Sequence, residues 1–421
     1  MLLLRARWGR SHSRHVTLPQ GISCFLDEWG PRIRCGLVDE QLQRLRSTLS
    51  DKPPFCSGIL PLSPENFILF YGKDSHARRV DLLNASEDDL ARLTEACDPA
   101  TFGVAQQDVF DETYRKALKL DSANFAVKLD AASSGLLEII RVGLLEEHEE
   151  TKAISAELYK LNVYGKGSFF KAHKDTPRGE TMFGSLVITF PTPHDGGALA
   201  LRHNDKEWTI DASHALSNQQ RPCVAYVAFY SDVEHEVALI TSGYRVTITY
   251  NLYFAEHPPS IAATAIPQLS THESELRAVF QSLLGDPTFL PEGGHLGFGL
   301  RHQYPIPIVP SRWKKNAPDV LKDLARCLKG SDAVLSAVCR DLGLDASLKM
   351  IFKDKEKLLL VMCDRAVNLK DDGQVESCLY WHLEQCYGGQ AVGYLEDARY
   401  RRDYYANEGR RNQSSIYRFL G

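Results

Sequence analysis

From about residue 156 the hydrophobic pattern changes period, and that change constrains the fold more than any other feature of the chain. AELYKLNVYG, MFGSLVITFP, GALALRH, KEWTIDA, CVAYVAFYSD, HEVALIT and GYRVTITYNLYF are short, rich in β-branched and aromatic residues, and separated by turn clusters. Side chains of a strand alternate between two faces, so each segment can turn one face to a core. Seven such segments in about a hundred residues predict a β-sandwich or barrel.

The flanks read differently. VDEQLQRLRSTLS (38–50), SEDDLARLTEAC (86–97), DVFDETYRKALKL (108–120) and SGLLEIIRVGLLEE (134–147) carry apolar residues at helical spacing. Ser86 followed by acids is a helix start. EHPPSIAATAIPQ (256–268) is a proline- and alanine-rich break, read as a linker. Beyond it, helical HESELRAVFQSLL and DVLKDLARCLKG mix with strand-like HLGFGL, SLKMIF and KLLLVMC. The expected organisation is therefore α+β: a mostly helical support over 1–150, a β domain over 151–255 and a mixed α/β accessory domain over 256–421.

A chain of 421 residues is longer than one ordinary core. A net charge of −5 gives no global basic field for nucleic acid or an anionic membrane. No apolar run reaches the roughly 18 residues of a membrane span. The ten cysteines form no CxxC pair and read as reduced thiols. The expected compartment is cytoplasmic or nuclear. The opening MLLLRARWGRSHSRH has four arginines and no acid. That composition also suits a mitochondrial presequence, although a basic tail is the preferred reading.

Within the β region, KAHKDTPRG places His173 and Asp175 two apart, so on an extended backbone they point the same way. FYSDVEHEV adds His235 at the end of an apolar strand. Two imidazoles and one carboxylate with open coordination positions suit Fe(II). TSGYRVTITYNLYF puts Arg245 inside an alternating strand, where a buried cation needs a bound anion. A guanidinium fork matches a carboxylate such as the far end of 2-oxoglutarate. Tyr164, upstream in YGKGSFFKAHKD, is either a hydrogen-bond donor to the same carboxylate or a core tyrosine.

Taken together, YGKGSFFKAHKDT, GSLVITFP, GGALALRH, VAFYSDVEHEV and SGYRVTITYNL resemble the iron- and 2-oxoglutarate-dependent dioxygenases, in their prolyl-4-hydroxylase-like branch, over about residues 155–254. The resemblance implies a double-stranded β-helix, or jelly roll. It implies Fe(II) held by His173, Asp175 and His235, with 2-oxoglutarate anchored by Arg245 and Tyr164. It further implies O2 as oxidant, ascorbate as an auxiliary reductant, and hydroxylation of a protein side chain with release of succinate and CO2. Many members of that branch carry Lys where this chain has Arg245, which keeps the charge but loosens the link to proline. Alternatives are an oxygenase acting on a small molecule and a non-catalytic β-barrel binding module. No further catalytic side chain beyond the metal ligands is expected, and the partner is an unidentified protein or small-molecule substrate.

Other polar residues have plainer readings. His194, His203 and His214 lie in turn-like stretches and read as surface groups. Asp232 and Glu234 should point away from the metal by alternation, with one of them free to orient a ligand. Thr176 and Arg178 border the mouth. Gly197 reads as a tight-turn or close-packing residue. Arg399, Arg401, Arg402, Arg410 and Arg411 read as a solvated basic face.

Overall fold

The computed structural model describes residues 2–6, 14–17, 22–26, 45, 52–73, 76–104, 107–145, 152–179, 181–255, 271–287, 294–306, 320–354, 359–367, 379–394, 400–401 and 418–419. The elements that position the site, in chain order, are β1 (Phe55–Pro61), β2 (Asp98–Pro99), β3 (Arg115–Lys116), β4 (Leu118–Asp121), helix α1 (Leu136–Leu144), β5 (Ile154–Tyr164), β6 (Phe169–His173), β7 (Met182–Thr189), β8 (Leu199–His203), β9 (Lys206–Ile210), β10 (Cys223–Tyr230), β11 (Glu234–Val237), β12 (Arg245–Phe254) and helix α2 (Gly330–Asp341).

Two antiparallel sheets carry the period-2 pattern. The larger has the order β1-β10-β7-β12-β5-β4-β2, the smaller β3-β6-β11-β8-β9. The two sheets are the β-rich architecture that the alternating pattern predicts, and among the described residues they do not close into a barrel. Strand β10 is buried at every position because both its faces are covered. Helix α1 packs on the larger sheet, burying Leu136, Ile140 and Leu144 at i, i+4 and i+8. Tyr230, at the end of β10, donates its hydroxyl to the Leu144 carbonyl at 3.0 Å and ties that helix down.

The sequence expectations are met over 86–97 and 134–147. The first is a helix over Glu87–Ala96, closed by a capping box in which Ser86 and Asp89 bond each other's backbone. The second is α1. The expected helix at 108–120 is corrected: that stretch forms Gln107–Val109, β3 and β4. Its apolar spacing fits a helix, but β3 pairs with β6 and β4 with β5, and tertiary pairing overrides local propensity. The mostly helical character expected over 1–150 is corrected with it. Among the described residues before 150, strands predominate, and both sheets draw strands from that stretch. Of the helix expected at 38–50 only Leu45, helical and buried, is described; the linker at 256–268 and most of the C-terminal basic stretch lie outside the described residues.

The region after 256 is mixed, as expected, with its own core around Phe280, Phe298, Val338, Phe352, Val361 and Leu383. Strand Leu2–Ala6 pairs there with Gly294–Phe298 and Asp345–Leu348. Cys56, Cys97, Cys223, Cys339 and Cys363 form no disulfide. Among the described residues no helix is long and apolar enough to cross a membrane.

A buried charge cluster joins this region to the sandwich. Asp232, in the turn between β10 and β11, is 1% exposed. Its carboxylate accepts from Lys329 Nζ at 2.9 Å, from Gln303 N at 3.2 Å, and contacts His203 Nε2 at 3.0 Å and His302 Nδ1 at 3.2 Å. Burial raises the Asp232 pKa, but Lys329 and His302 outweigh it and hold the carboxyl well below the usual range. Removing one partner of a buried pair leaves an uncompensated charge. Lys329→Met should therefore lower unfolding free energy by about 3–5 kcal/mol. The double variant Asp232→Asn with Lys329→Met should be less damaged than Lys329→Met alone. Urea unfolding checks both.

Candidate metal centre

Strands β6 and β11 are neighbours in the smaller sheet, with His173 and His235 directly opposite in register. Their rings lie 4.1 Å apart. Phe170 stacks on His173 at 3.5 Å, and Phe229 sits 4.7 Å from His235, so both imidazoles are held by aromatic packing. Each Nδ1 faces a backbone carbonyl two residues back in its own chain: Lys171 O at 2.7 Å for His173, and Val233 O at 3.1 Å for His235. An Nδ1–H donated there leaves the Nε2 lone pair free for a cation. Burial pushes the His173 pKa well down, with His235 and Arg115 adding to it, so this imidazole is neutral at pH 7.

Asp175 follows β6 in an irregular segment and completes the group. Its Oδ1 lies 3.8 Å from His235 Nε2, while Ser185 Oγ on β7 donates to Oδ2 at 2.5 Å. One oxygen is thus fixed by a neighbour and the other faces the imidazoles. The donor atoms of His173, Asp175 and His235 all lie within 4.8 Å of one another. Two imidazole nitrogens and one carboxylate oxygen, oriented by hydrogen bonds, fit a borderline divalent ion such as Fe(II).

Arg245 opens β12, directly opposite Tyr164 on β5. It is 3% exposed. Its guanidinium carbon stands 5.5 Å from the Tyr164 ring centre, one Nη reaches Thr189 Oγ1 at 3.5 Å, and its Nε has no partner. Burial lowers its pKa against the effect of Tyr164. Arg245, Thr247 and Asn251 alternate along one face of β12, with Thr189 and Ser185 beside them on β7. This face carries polar groups from Arg245 to the Ser185–Asp175 contact. Gly197 makes room for the arginine. It sits at φ +72°, and a Cβ there would come within 3.0 Å of Arg245 Cδ and 2.2 Å of Ile240 Cδ1.

The structure thus gathers His173, Asp175 and His235 and sets Tyr164 against Arg245. Asp232 and Glu234 point away from the triad, as alternation requires; Asp232 is in the buried cluster and Glu234 faces Arg202 at 3.9 Å. His214 is exposed, as expected. The surface reading of His194 and His203 is corrected. His194 is 7% exposed, beside Arg245, with Nδ1 2.7 Å from Thr192 O. His203 joins His302 on Asp232, a second grouping of metal-ligand types. There Lys329 already supplies the countercharge, so the geometry is that of an ion-paired junction.

Sequence reasoning missed Ser185, Phe170 and Arg115. Serine in an alternating strand gives a weak signal, and Arg115 sat in a stretch read as helix. The contact of Ser185 with Asp175 has a measurable consequence. Ser185→Ala should weaken Fe(II) binding about 10–100-fold, read by chelator competition, because the carboxylate loses its orienting donor.

Residues 159–253 match the 2OG-Fe(II) oxygenase superfamily. None of the curated proteins compared with the chain matches it. Among solved structures, a Pseudomonas putida prolyl-4-hydroxylase is 18% identical over 50% of this chain and 99% of its own, with a TM-score of 0.29. A prolyl hydroxylase from Trichoplax adhaerens, solved with a hypoxia-inducible-factor peptide fragment, is 16% identical over 53% and 94%, also with a TM-score of 0.29. AviO1 from Streptomyces viridochromogenes is 15% identical over 52% and 98%, with a TM-score of 0.27. The matched segment contains His173, Asp175, His235 and Arg245, and over that segment the chain is similar to the 2OG-Fe(II) oxygenase superfamily.

Proposed function

We propose that this dioxygenase hydroxylates a protein side chain, with 2-oxoglutarate and O2 consumed and succinate and CO2 released. One oxygen atom enters the substrate C–H bond and the other enters succinate, so the four-electron reduction of O2 balances. The observation that carries the reading is Arg245, a buried guanidinium with an unpartnered Nε on the same interior face as the Asp175–Ser185 contact. Bound Fe(II) would supply oxygen activation.

The chain's residues supply the rest. His173 and His235 offer their Nε2 atoms, and their Nδ1–carbonyl contacts hold the rings in one orientation. Asp175 offers Oδ1 while Ser185 holds Oδ2. Arg245 binds the distal carboxylate of 2-oxoglutarate through its fork, with Tyr164 beneath it and Thr189 beside it. That ligand compensates a charge whose burial is otherwise costly. Phe170 and Phe229 flank the imidazoles and keep water from that side. Ascorbate would keep the bound iron ferrous. Retention of a complete donor set together with the inward arginine supports an enzyme over a binding module.

The assay needs no known substrate. Protein purified without oxygen is mixed with Fe(II), 2-oxoglutarate and ascorbate, air is admitted, and succinate is quantified. Wild type should form succinate in slow uncoupled turnover, and His173→Ala should lose that activity by about a hundredfold or more. Equal succinate from both proteins would contradict the reading.

A further inference from the structure

The chamber holds more positive charge than iron and 2-oxoglutarate require, and this inference rests on that reading of the site. Fe(II) with one Asp carboxylate carries +1, and 2-oxoglutarate with Arg245 carries −1, so the loaded centre is neutral. Two further cations remain on its flank. Arg115, on β3, is 8% exposed and lies 4.4 Å from the centre of Phe170, which also stacks on His173. Neutral acceptors hold it: Nη1 donates to Thr101 O at 2.7 Å and Nη2 to Asn162 Oδ1 at 2.9 Å, while its buried Nε has no partner.

Lys160 stands two residues before Asn162 on the same side of β5, half-buried, with its Nζ 4.5 Å from the Tyr159 ring centre. The carboxylates near it are already engaged. Asp121, its register partner, is bound by Lys119 at 2.8 Å, and Glu157 accepts from the Tyr253 hydroxyl at 2.9 Å. Arg178 adds a further positive charge at the rim, stacked 4.5 Å over Tyr159. Burial lowers the Lys160 pKa to about 8, with Lys119 and Arg115 pushing the same way.

The contrast with Lys329 is informative. There the chain encloses a lysine and supplies Asp232 to pair with it. It buries Arg115 and half-buries Lys160, giving Arg115 only neutral acceptors and Lys160 a facing Asp121 that Lys119 already binds. A structural strut between Thr101 and Asn162 needs a hydrogen-bond donor but no net charge, and Lys160 makes no such strut. An unmatched buried cation is retained where an anion arrives from outside.

We infer that the substrate carries a carboxylate close to the carbon that is hydroxylated, received between Arg115 and Lys160. The carboxylate is either an acidic side chain next to the target residue in a peptide or the free acid of a small molecule. Arg115 and Lys160 are then specificity-determining residues of this oxygenase.

Fluorescence anisotropy tests this without turnover. A labelled proline peptide flanked by Glu is titrated with the full chain, in parallel with its Gln-flanked twin. N-acetylproline and N-acetylprolinamide are titrated as unlabelled competitors to represent the free-acid source. An acidic probe should bind about tenfold or more tighter than its neutral twin, with the preference shrinking as salt rises. Preference within the peptide pair points to a protein substrate; preference within the competitor pair alone points to a small acid. Both preferences should fall about tenfold in Lys160→Met and in Arg115→Met. Lys160→Met keeps the test valid if Arg115→Met disturbs the Thr101–Asn162 strut. Equal binding of acidic and neutral probes, no binding of either acidic probe, or a preference that survives both substitutions would overturn the inference. Loss of succinate formation in the uncoupled assay would instead overturn the oxygenase reading, so the two failures are distinguishable.

Discussion

A cation enclosed between two sheets is tolerated only when an anion meets it, and that constraint organises this molecule. Moving a charged group out of water is costly, and only a paired countercharge recovers the cost. The chain meets the constraint in two ways. At the junction, Lys329 and Asp232 are both made by the protein and face each other at 2.9 Å. On the interior face of the larger sheet, Arg245 is enclosed with Tyr164 and Thr189 as its neighbours, and the countercharge has to come from a ligand. The first arrangement is built for permanence and the second for binding.

The same turn serves both. Asp232 lies three residues before His235, so the anchor joining the C-terminal region to the sandwich sits at the start of the strand that presents a candidate ligand. His203, at the end of β8, reaches the same carboxylate, and β8 pairs with β11. The region after 256 thereby contributes His302, Gln303 and Lys329 to holding the backbone beside the metal centre. Its own core shows that it does more than this, but the shared carboxylate makes it part of the support of the site.

The triad and Arg245 were legible in the sequence because strand alternation turns spacing into direction: an HxD pair shares a face, and every second residue of β12 shares another. The two sheets were legible for the same reason. The segment at 108–120 misled because its spacing fits a helix while its partners, β5 and β6, lie tens of residues away. His203 was misread because its meaning depends on Asp232 and His302, which only the fold brings near. Ser185 gave no signal, since a serine on an apolar strand looks the same whether it faces solvent or a carboxylate. Local periodicity exposes residues whose role follows from direction, and hides those whose role follows from a distant partner.

The most direct test of the central claim is an anaerobic titration of the Fe(II)-loaded protein with 2-oxoglutarate, followed by the visible charge-transfer band of the chelate. The same titration is run on Arg245→Ala and Arg245→Lys. If the enclosed guanidinium is the anchor, wild type develops the band, Arg245→Ala needs about tenfold or more 2-oxoglutarate to reach it, and Arg245→Lys falls between them. A band that develops at the same concentration in wild type and Arg245→Ala would contradict the anchor, and with it the charge constraint on which the reading of the site depends.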